Sequence, residues 1–288
     1  MKRTLALLLC ALLVCIAAVA LPACSSSEGA ADLEKVRSAG KLVVGMECAY
    51  APYNWSVAAP GAYTVEVGNG LYADGYDVQI ARRIADHLGV ALEIRPIEWD
   101  GLIPALQSGS IDAVIAGMSP TEDRRLSVDF SDVYLASNLV IVCRKDSTYA
   151  GATRLSDFAG ARLCAQQNTF HYTVIDQIAG VKKQTALKSF AALAQALSNG
   201  TIDGYVCERP HGLAAAAADP NTTFVEFADG NGFSYNPADA SIAVALRKGS
   251  TLTAEINAVI AAIPTSEREN MMIAAIARQP LSSENEEE

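Results

Sequence analysis

The sequence predicts an α/β chain built as two similar lobes, each a sheet flanked by helices, the two joined by hinge strands. Three observations predict it. Apolar strand runs alternate with amphipathic helices through the body of the chain, the pattern of parallel sheets with crossover helices. A stretch also recurs: ALQSGSIDAVIAG at 105–117 aligns without gaps on ALSNGTIDGYVCE at 196–208, Leu106 over Leu197, Gly109 over Gly200, Ile111-Asp112 over Ile202-Asp203. Each copy reads as a helix end, a glycine stop and a short apolar strand. Their spacing of 91 residues is too long for a solenoid repeat and suits two lobes built alike. Finally, NLVIVCRKDS and SIAVALRKGS are apolar strands ending in Arg-Lys, placed where the chain crosses between lobes.

Taken in order, KLVVGM is a strand and GYDVQIARRIADHLG a helix, with Val78, Ile80, Ala81, Ile84, Ala85 and Leu88 on one face. ALEIRPI is a second strand. Beyond the first crossing, ARLCAQ and TTFVEF read as strands, NTFHYTVIDQI and SFAALAQALSN as helices. SVAAPGAYTVEVGNGLYAD is longer than a tight turn and reads as a loop over the rim, with Tyr53 and Trp55 packed beneath it. Its GNG, residues 68–70, does not lead from a strand into a helix, so it is no dinucleotide loop.

The chain begins with Lys2 and Arg3, an apolar run from Leu5 to Leu21, then Pro22, Ala23 and Cys24, the layout of an export signal. LPAC resembles the lipobox of bacterial lipoproteins, which implies acylation of Cys24 after removal of residues 1–23. Residues 24–40 then form the lipidated N-terminus and tether, 41–141 with 242–288 the first lobe, and 142–241 the second. Without Lys2 and Arg3, 20 of the 22 basic residues face 32 acidic ones, a net charge of −12. That argues against nucleic acid as a partner and against electrostatic binding to anionic lipid. Cys48, Cys143, Cys164 and Cys207 form no CxxC pair and lie near no histidine at metal-ligand spacing, so buried free thiols are expected, with no metal and no cofactor.

Parallel α/β sheets bind ligands outside the carboxyl ends of their strands. In the echoed stretches those ends are Ala116-Gly117-Met118 and Cys207-Glu208. Just beyond the first, AGMSPTEDRR puts Arg124 in a helical turn capped by Thr121. The positive end of a helix disfavours a cation by roughly 0.3–1 kcal/mol, unless an anion sits nearby. A ligand carboxylate would supply one, taking amide N–H groups around Met118 and Ser119 and a bidentate contact from Arg124. Glu208, from the facing lobe, would take an ammonium. Together these contacts describe an α-amino acid. The alternative is a surface pairing of Arg124 or Arg125 with Glu122 or Asp129.

Three blocks, GMECAYAPYNW, EWDGLIPALQSGSIDAVIAGMSPTEDRRLSVDFSD and IDGYVCERP, make the chain resemble the family 3 extracellular solute-binding proteins, the polar amino-acid receptors of bacterial ABC importers, from about Gly40 to Ala277. The resemblance implies a periplasmic-binding-protein-like fold without enzymatic activity, a membrane permease as partner, and a monomer anchored by lipid at the outer face of the cell membrane. It places Tyr50 over the ligand side chain, Trp99 on the opposite wall, Gly117, Met118 and Ser119 at the α-groups, Arg124 on the carboxylate and Thr169 beside it. It gives Glu208, where the family usually has Asp, the α-ammonium, and Asn168 replaces a usual glycine. Glu47 falls where relatives that take lysine, ornithine, arginine or glutamine carry an acid. Tyr50 and Trp99 could sandwich a guanidinium, so a basic amino acid is expected, with glutamine or another polar amino acid next. A periplasmic dehydratase on the same fold is the enzymatic alternative. It would need a positioned acid or base; no nucleophile–base pair appears, and His87, His171 and His211 read as structural or surface residues.

Overall fold

The echoed stretches fold alike down to individual hydrogen bonds, each at the centre of its own sheet. The computed structural model describes Gly29 and residues 31–280; the expected signal and Cys24 lie outside the described residues. The first part contains α1 (Asp32–Ala39), β1 (Lys41–Met46), β2 (Ala49–Tyr50), β3 (Asn54–Val57), β4 (Val65–Gly68), β5 (Leu71–Asp74) and α2 (Tyr76–Leu88). It continues through β6 (Ala91–Pro96), α3 (Trp99–Gln107), β7 (Ala113–Val114), α4 (Glu122–Arg125) and β8 (Asp129–Leu135). The second part holds β9 (Leu139–Arg144), β10 (Arg162–Cys164), α5 (Phe170–Val174), β11 (Lys182–Lys183), α6 (Phe190–Ser198), β12 (Gly204–Glu208), α7 (Arg209–Ala218) and β13 (Thr222–Val225). The chain then returns to the first lobe as β14 (Ile242–Leu246), α8 (Leu252–Ala262) and α9 (Thr265–Arg278).

The first sheet has the order β6-β1-β7-β14-β8 and the second β11-β10-β12-β9-β13. These orders correspond place for place. In each, the first three strands are parallel and the fourth is antiparallel to both neighbours. That fourth strand has in both cases just arrived from the other lobe. The apolar runs ending in Arg-Lys are therefore not the crossings themselves but the strands that follow them. The chain crosses at residues 136–138 and again at 226–241. A boundary between 141 and 142 would cut through β9, so residues 139–141 belong with the second sheet. The physical reason is burial: Leu139 to Cys143 and Ile242 to Leu246 are all buried, as a central strand requires and an exposed hinge would not allow.

Within the echo, Gly109 and Gly200 adopt φ of 74° and 70°, the left-handed conformation that ends a helix cheaply only at glycine. The amides of Ser110 and Ile111 donate to the Ala105 carbonyl, and those of Thr201 and Ile202 to Ala196. Asp112 then accepts from the Val43 amide at 3.0 Å, and Asp203 from the Arg162 amide at 2.8 Å. Each aspartate thus ties the start of its strand to the strand beside it. Asp112 shares the buried Arg247, at 3.5 Å, with Asp32, while Asp203 is held by Arg162 through Nε and Nη2. Replacing Asp203 by alanine should lower stability by about 1–2 kcal/mol; thermal unfolding with an unchanged midpoint would contradict this tie.

The segment read as a rim loop is instead a sheet of order β2-β3-β5-β4, its β4–β5 turn made by Gly68, Asn69 and Gly70 at positive φ. Tyr53 and Trp55 are buried beneath it. Cys48, Cys143, Cys164 and Cys207 are buried and free, and among the described residues no helix is long and apolar enough to cross a membrane.

Candidate functional site

Strand ends and helix starts of both lobes meet at one small cavity. From the first lobe, Gly117 has φ 61°, and a Cβ there would stand 2.9 Å from Tyr50 Cε1. Only glycine lets the Tyr50 ring lie against this strand end. The Gly117 amide donates to Asp77, which also accepts from the Tyr134 hydroxyl at 2.7 Å and Asn54 Nδ2 at 2.9 Å. Burial raises the Asp77 carboxyl to about 6 against the pull of these donors. Asn54 Oδ1 in turn accepts from the Cys48 amide at 2.8 Å, so Asp77 anchors the loop that carries Glu47 and Tyr50. Met118 is buried, and its carbonyl accepts from the Ala243 amide at 3.1 Å.

Thr121 caps α4 by accepting from the Arg124 amide at 3.4 Å. The half-buried Arg124 guanidinium lies 5.0 Å from the Trp99 ring centre. It donates to the Ser119 carbonyl at 2.9 Å and, across the cleft, to the Asn168 carbonyl at 3.2 Å. Burial brings Arg124 down to about 10, opposed by the charges of Glu208 and Asp239. Asp129 pairs instead with Lys248 at 2.9 Å, and among the described residues no ion pair joins Arg124 or Arg125 to Glu122 or Asp129. The surface alternative is not what the structure adopts.

From the second lobe, Glu208 is fully buried at the end of β12. Its Oε2 accepts from the Tyr50 hydroxyl, and its Oε1 lies 2.9 Å from His171 Nε2, without hydrogen-bond alignment. Burial alone would raise the Glu208 carboxyl. The charge of His171 and the contacts of His171 and Tyr50 outweigh it and hold the group below the usual range. His171, read from sequence as structural or surface, faces the cleft. The available signal was its place two residues after Thr169, in the first turn of a helix. Thr169 is buried and donates to the Gln166 carbonyl at 2.7 Å. Asn168 has φ 56°, a conformation asparagine tolerates, so the expected glycine position is filled without a glycine.

Glu47 stands at the flank of the site, where Gln166 Nε2 donates to it across the cleft at 3.0 Å. Burial raises Glu47 to about 7 against the Gln166 contact, with help from the charges of Glu98 and Asp100. Tyr50 does not face Trp99: Phe190 stacks on it, ring centres 4.1 Å apart at 9°. Trp99 carries the chain's own Arg124. Phe190, Gln166, His171 and Asp77 are the site residues that sequence reasoning missed.

The cavity left between Tyr50, Trp99, Ser119, Arg124, Thr169 and His171 is about 10 Å³, near the lower limit for one water molecule. The lobes are shut on it. Further contacts across the cleft join Asp100 to Gln167 and Asn168, and His211 Nδ1 to the Ala51 carbonyl at 2.6 Å. Because a carbonyl only accepts, Nδ1 carries the proton, and Nε2, 3.1 Å from the Tyr205 hydroxyl, accepts. Burial lowers His211 to about 4, so this contact is made by a neutral imidazole. Next to the cavity a cleft of about 660 Å³ opens outward past Glu122, Asp123 and Asp239. Among the described residues no His, Cys, Asp and Glu cluster is arranged to hold a metal ion.

Two lobes shut on a small cavity lined by Arg124, with the buried Glu208 behind its Tyr50 and His171 walls, have the arrangement of a solute-binding protein. The chain belongs to the bacterial extracellular solute-binding proteins, family 3, whose profile it matches over residues 42–273. It is 35% identical over 166 residues to an arginine-binding extracellular protein of Bacillus subtilis, covering 58% of this chain and 56%, little more than half, of that relative. It is 30% identical to an L-cystine-binding protein of Escherichia coli, with 81% of each chain covered. A solved amino acid ABC transporter substrate-binding protein from Streptococcus pneumoniae, bound to L-arginine, is similar at 26% identity and a TM-score of 0.75, covering 85% of this chain and 98% of that one.

Proposed function

We propose that this chain captures a polar L-amino acid, a basic one such as arginine, lysine or ornithine, for an ABC importer, and that glutamine or another polar amino acid is the alternative. The observation that carries the reading is the pair Arg124, which lines the cavity, and Glu208, which from the facing lobe contacts the Tyr50 and His171 that line it. The ligand binds an open form on the first lobe, its carboxylate on Arg124 and the Ser119 region, its side chain toward Tyr50, Trp99 and Glu47. Closure then brings Thr169 and Glu208 over it. The contacts across the cleft, Glu47 with Gln166, Arg124 with Asn168, Ala51 with His211, are those closure makes. The closed form is what the permease recognises. Cys24 carries the lipid that holds a monomer at the outer face of the membrane, and the chain performs no catalysis.

The basic preference is supported by Glu47, by the acidic lining of the outer cleft and by the arginine-binding relative. A thermal-shift screen of the twenty amino acids tests the reading, because a ligand bound by the native form alone raises its melting temperature; no shift with any of them would refute it. Glu47→Gln should weaken arginine about tenfold, or about 1.4 kcal/mol, and glutamine hardly at all. The sign of the pH effect follows from a carboxyl raised to about 7. Without ligand the protonated form is favoured, a contribution complete below the ordinary carboxylate range and lost as pH rises through about 7. A cationic side chain needs the ionised form, so arginine affinity should rise relative to glutamine across that range. Calorimetric titrations showing equal loss for both ligands would remove Glu47 from side-chain recognition.

A further inference from the structure

With room for about one water molecule, the shut cavity is far smaller than an amino acid, so some wall must stand elsewhere when a ligand is held. Most of its walls are tied in place. The Tyr50 hydroxyl is bonded to Glu208, and Trp99 carries Arg124. Gln166 is fixed by Glu47 and by the Lys188 carbonyl, both at 3.0 Å, and Thr169 by the Gln166 carbonyl. Phe190 differs. Among the described residues it alone lines both this cavity and a second cleft, of about 620 Å³, that also lies between the lobes. We propose that Phe190 is a movable wall, and that the second cleft takes the apolar end of a side chain too long for the cavity, so that the site accepts an amino acid alkylated at the tip of its side chain. This rests on the amino-acid reading above.

Phe190 opens α6, and its ring is held by other rings alone. It stacks on Tyr50 and lies 4.6 Å from the His211 ring centre and 6.3 Å from that of Tyr205. With no polar atom, it has no hydrogen bond to break on turning. The residues behind it are small: Ala191 and Ala194 on α6, Ala214 and Ala215 on α7. An aromatic side chain on a helix takes χ1 of about 180° or about −60°, and a ring turned off Tyr50 enters space that no large side chain fills. The first lobe closes the cleft with Ala49, Ala51 and Gln279, whose Nε2 donates to the Ala214 carbonyl at 2.6 Å. The cleft, like the cavity, is therefore completed by closure. The end of a ligand side chain near Glu47 also lies close to this wall, because Gln166 joins Glu47 to Lys188, two residues before Phe190.

The lining of the cleft selects an apolar occupant. Its one carboxylate, Asp219, already accepts from the Asn221 amide and the Thr222 hydroxyl, each at 2.8 Å. His211, also in the lining, is neutral. Alanine methyl groups make up much of the rest, so an alkyl tail gains by leaving water there, whereas a second charge finds no free partner. The outer cleft offers the opposite surroundings, with Glu122, Asp123 and Asp239 along it, and would not favour such a tail.

Titration calorimetry of the full chain with arginine and Nω-propyl-arginine, and with glutamine and Nγ-ethyl-glutamine, tests the wall. For a parent that binds, the wild type should hold the alkylated form within about tenfold, since burial of the tail offsets the lost ring stack. Ala194→Trp fills the cleft from an exposed helix position. It should weaken the alkylated ligand about tenfold or more and leave the parent within about twofold. Phe190→Ala should shift the ratio of the two affinities toward the alkylated ligand by about tenfold. Fluorine spectra of wild-type chain carrying fluorophenylalanine need no cleft substitution: the Phe190 signal, assigned by its loss in Phe190→Leu, should differ between the parent and alkylated complexes. An Ala194→Trp chain that treats parent and alkylated ligand alike overturns the proposal and leaves the amino-acid reading standing. So does a wild type that binds a parent but not its alkylated form, or a Phe190 signal that is the same in both complexes. Absence of binding by arginine and glutamine alike overturns this proposal, and absence of binding by any amino acid overturns the reading beneath it as well.

Discussion

Arg124→Ala is expected to weaken arginine binding by about 3 kcal/mol, roughly a hundredfold in dissociation constant. The loss follows from where the guanidinium stands. It is held between the Trp99 face and two carbonyls, with burial already lowering it to about 10. A ligand carboxylate entering the cavity meets Arg124, the one guanidinium among the described residues that line it, and a charge-assisted bidentate contact is the strongest it can make there. With alanine the carboxylate is desolvated and unpaired, which costs more than the bond was worth. The same substitution removes the contact to Asn168 that spans the cleft, so part of the loss reflects a less favourable closed form. Arg124→Lys separates the two: it keeps the charge and loses the fork, and should recover a portion of the affinity. A dissociation constant for arginine unchanged by Arg124→Ala, read by calorimetry, would take Arg124 out of the site.

The frame of this fold was legible because its strongest signals are local. The helix over GYDVQIARRIADHLG and the strand KLVVGM follow from periodicity, and the echo forecast two sheets whose central strands end alike. Its meaning was sharper than the alignment alone suggested: Asp112 and Asp203 perform one hydrogen-bonding task in two places. The strands after the crossings were misassigned by a few residues because an apolar run ending in Arg-Lys says that a strand stops there, not which sheet it joined. Arg247 shows the ambiguity, since it is buried on Asp32 and not at an exit to solvent. The rim segment hid a hairpin whose cue was present. Asn-Gly between alternating residues is a strong hairpin signal, obscured because β4 is only partly buried.

At the site, residues on the echoed strand ends could be named from sequence, whereas their partners could not. Tyr50 and Phe190 are 140 positions apart, and no local pattern announces their stack. His171 is a lone histidine in an apolar helix start, a setting in which most histidines are structural. Only the return of β12 from the other side of the lobe puts Glu208 beside it. Asp77 opens an ordinary amphipathic helix, and its role in holding Gly117, Asn54 and Tyr134 exists only in three dimensions.

Glu208→Gln should have an effect at least as large as the loss of Arg124, about 3–5 kcal/mol in amino-acid affinity. Glutamine keeps the size of the side chain and can still accept from Tyr50, so the loss isolates the charge. A buried ammonium would then lack its counter-ion. Stability without ligand should respond differently. The folded-state carboxyl lies below its ordinary value, so in the wild type its favourable contribution is present above the unfolded carboxylate pKa and lost as pH falls through the folded one. The variant should lack this acid limb, giving unfolding free energies that depend less steeply on pH below the ordinary carboxylate range. A merely structural Glu208 would show the altered acid limb with amino-acid affinity intact at neutral pH. A ligand-binding Glu208 would show both changes, and Glu208→Asp, which shortens the reach to Tyr50 and His171 but restores the charge, should return much of the affinity. Wild-type affinity in Glu208→Gln would leave a zwitterion with no anion to hold its ammonium, and the proposed capture across the two lobes would fall with it.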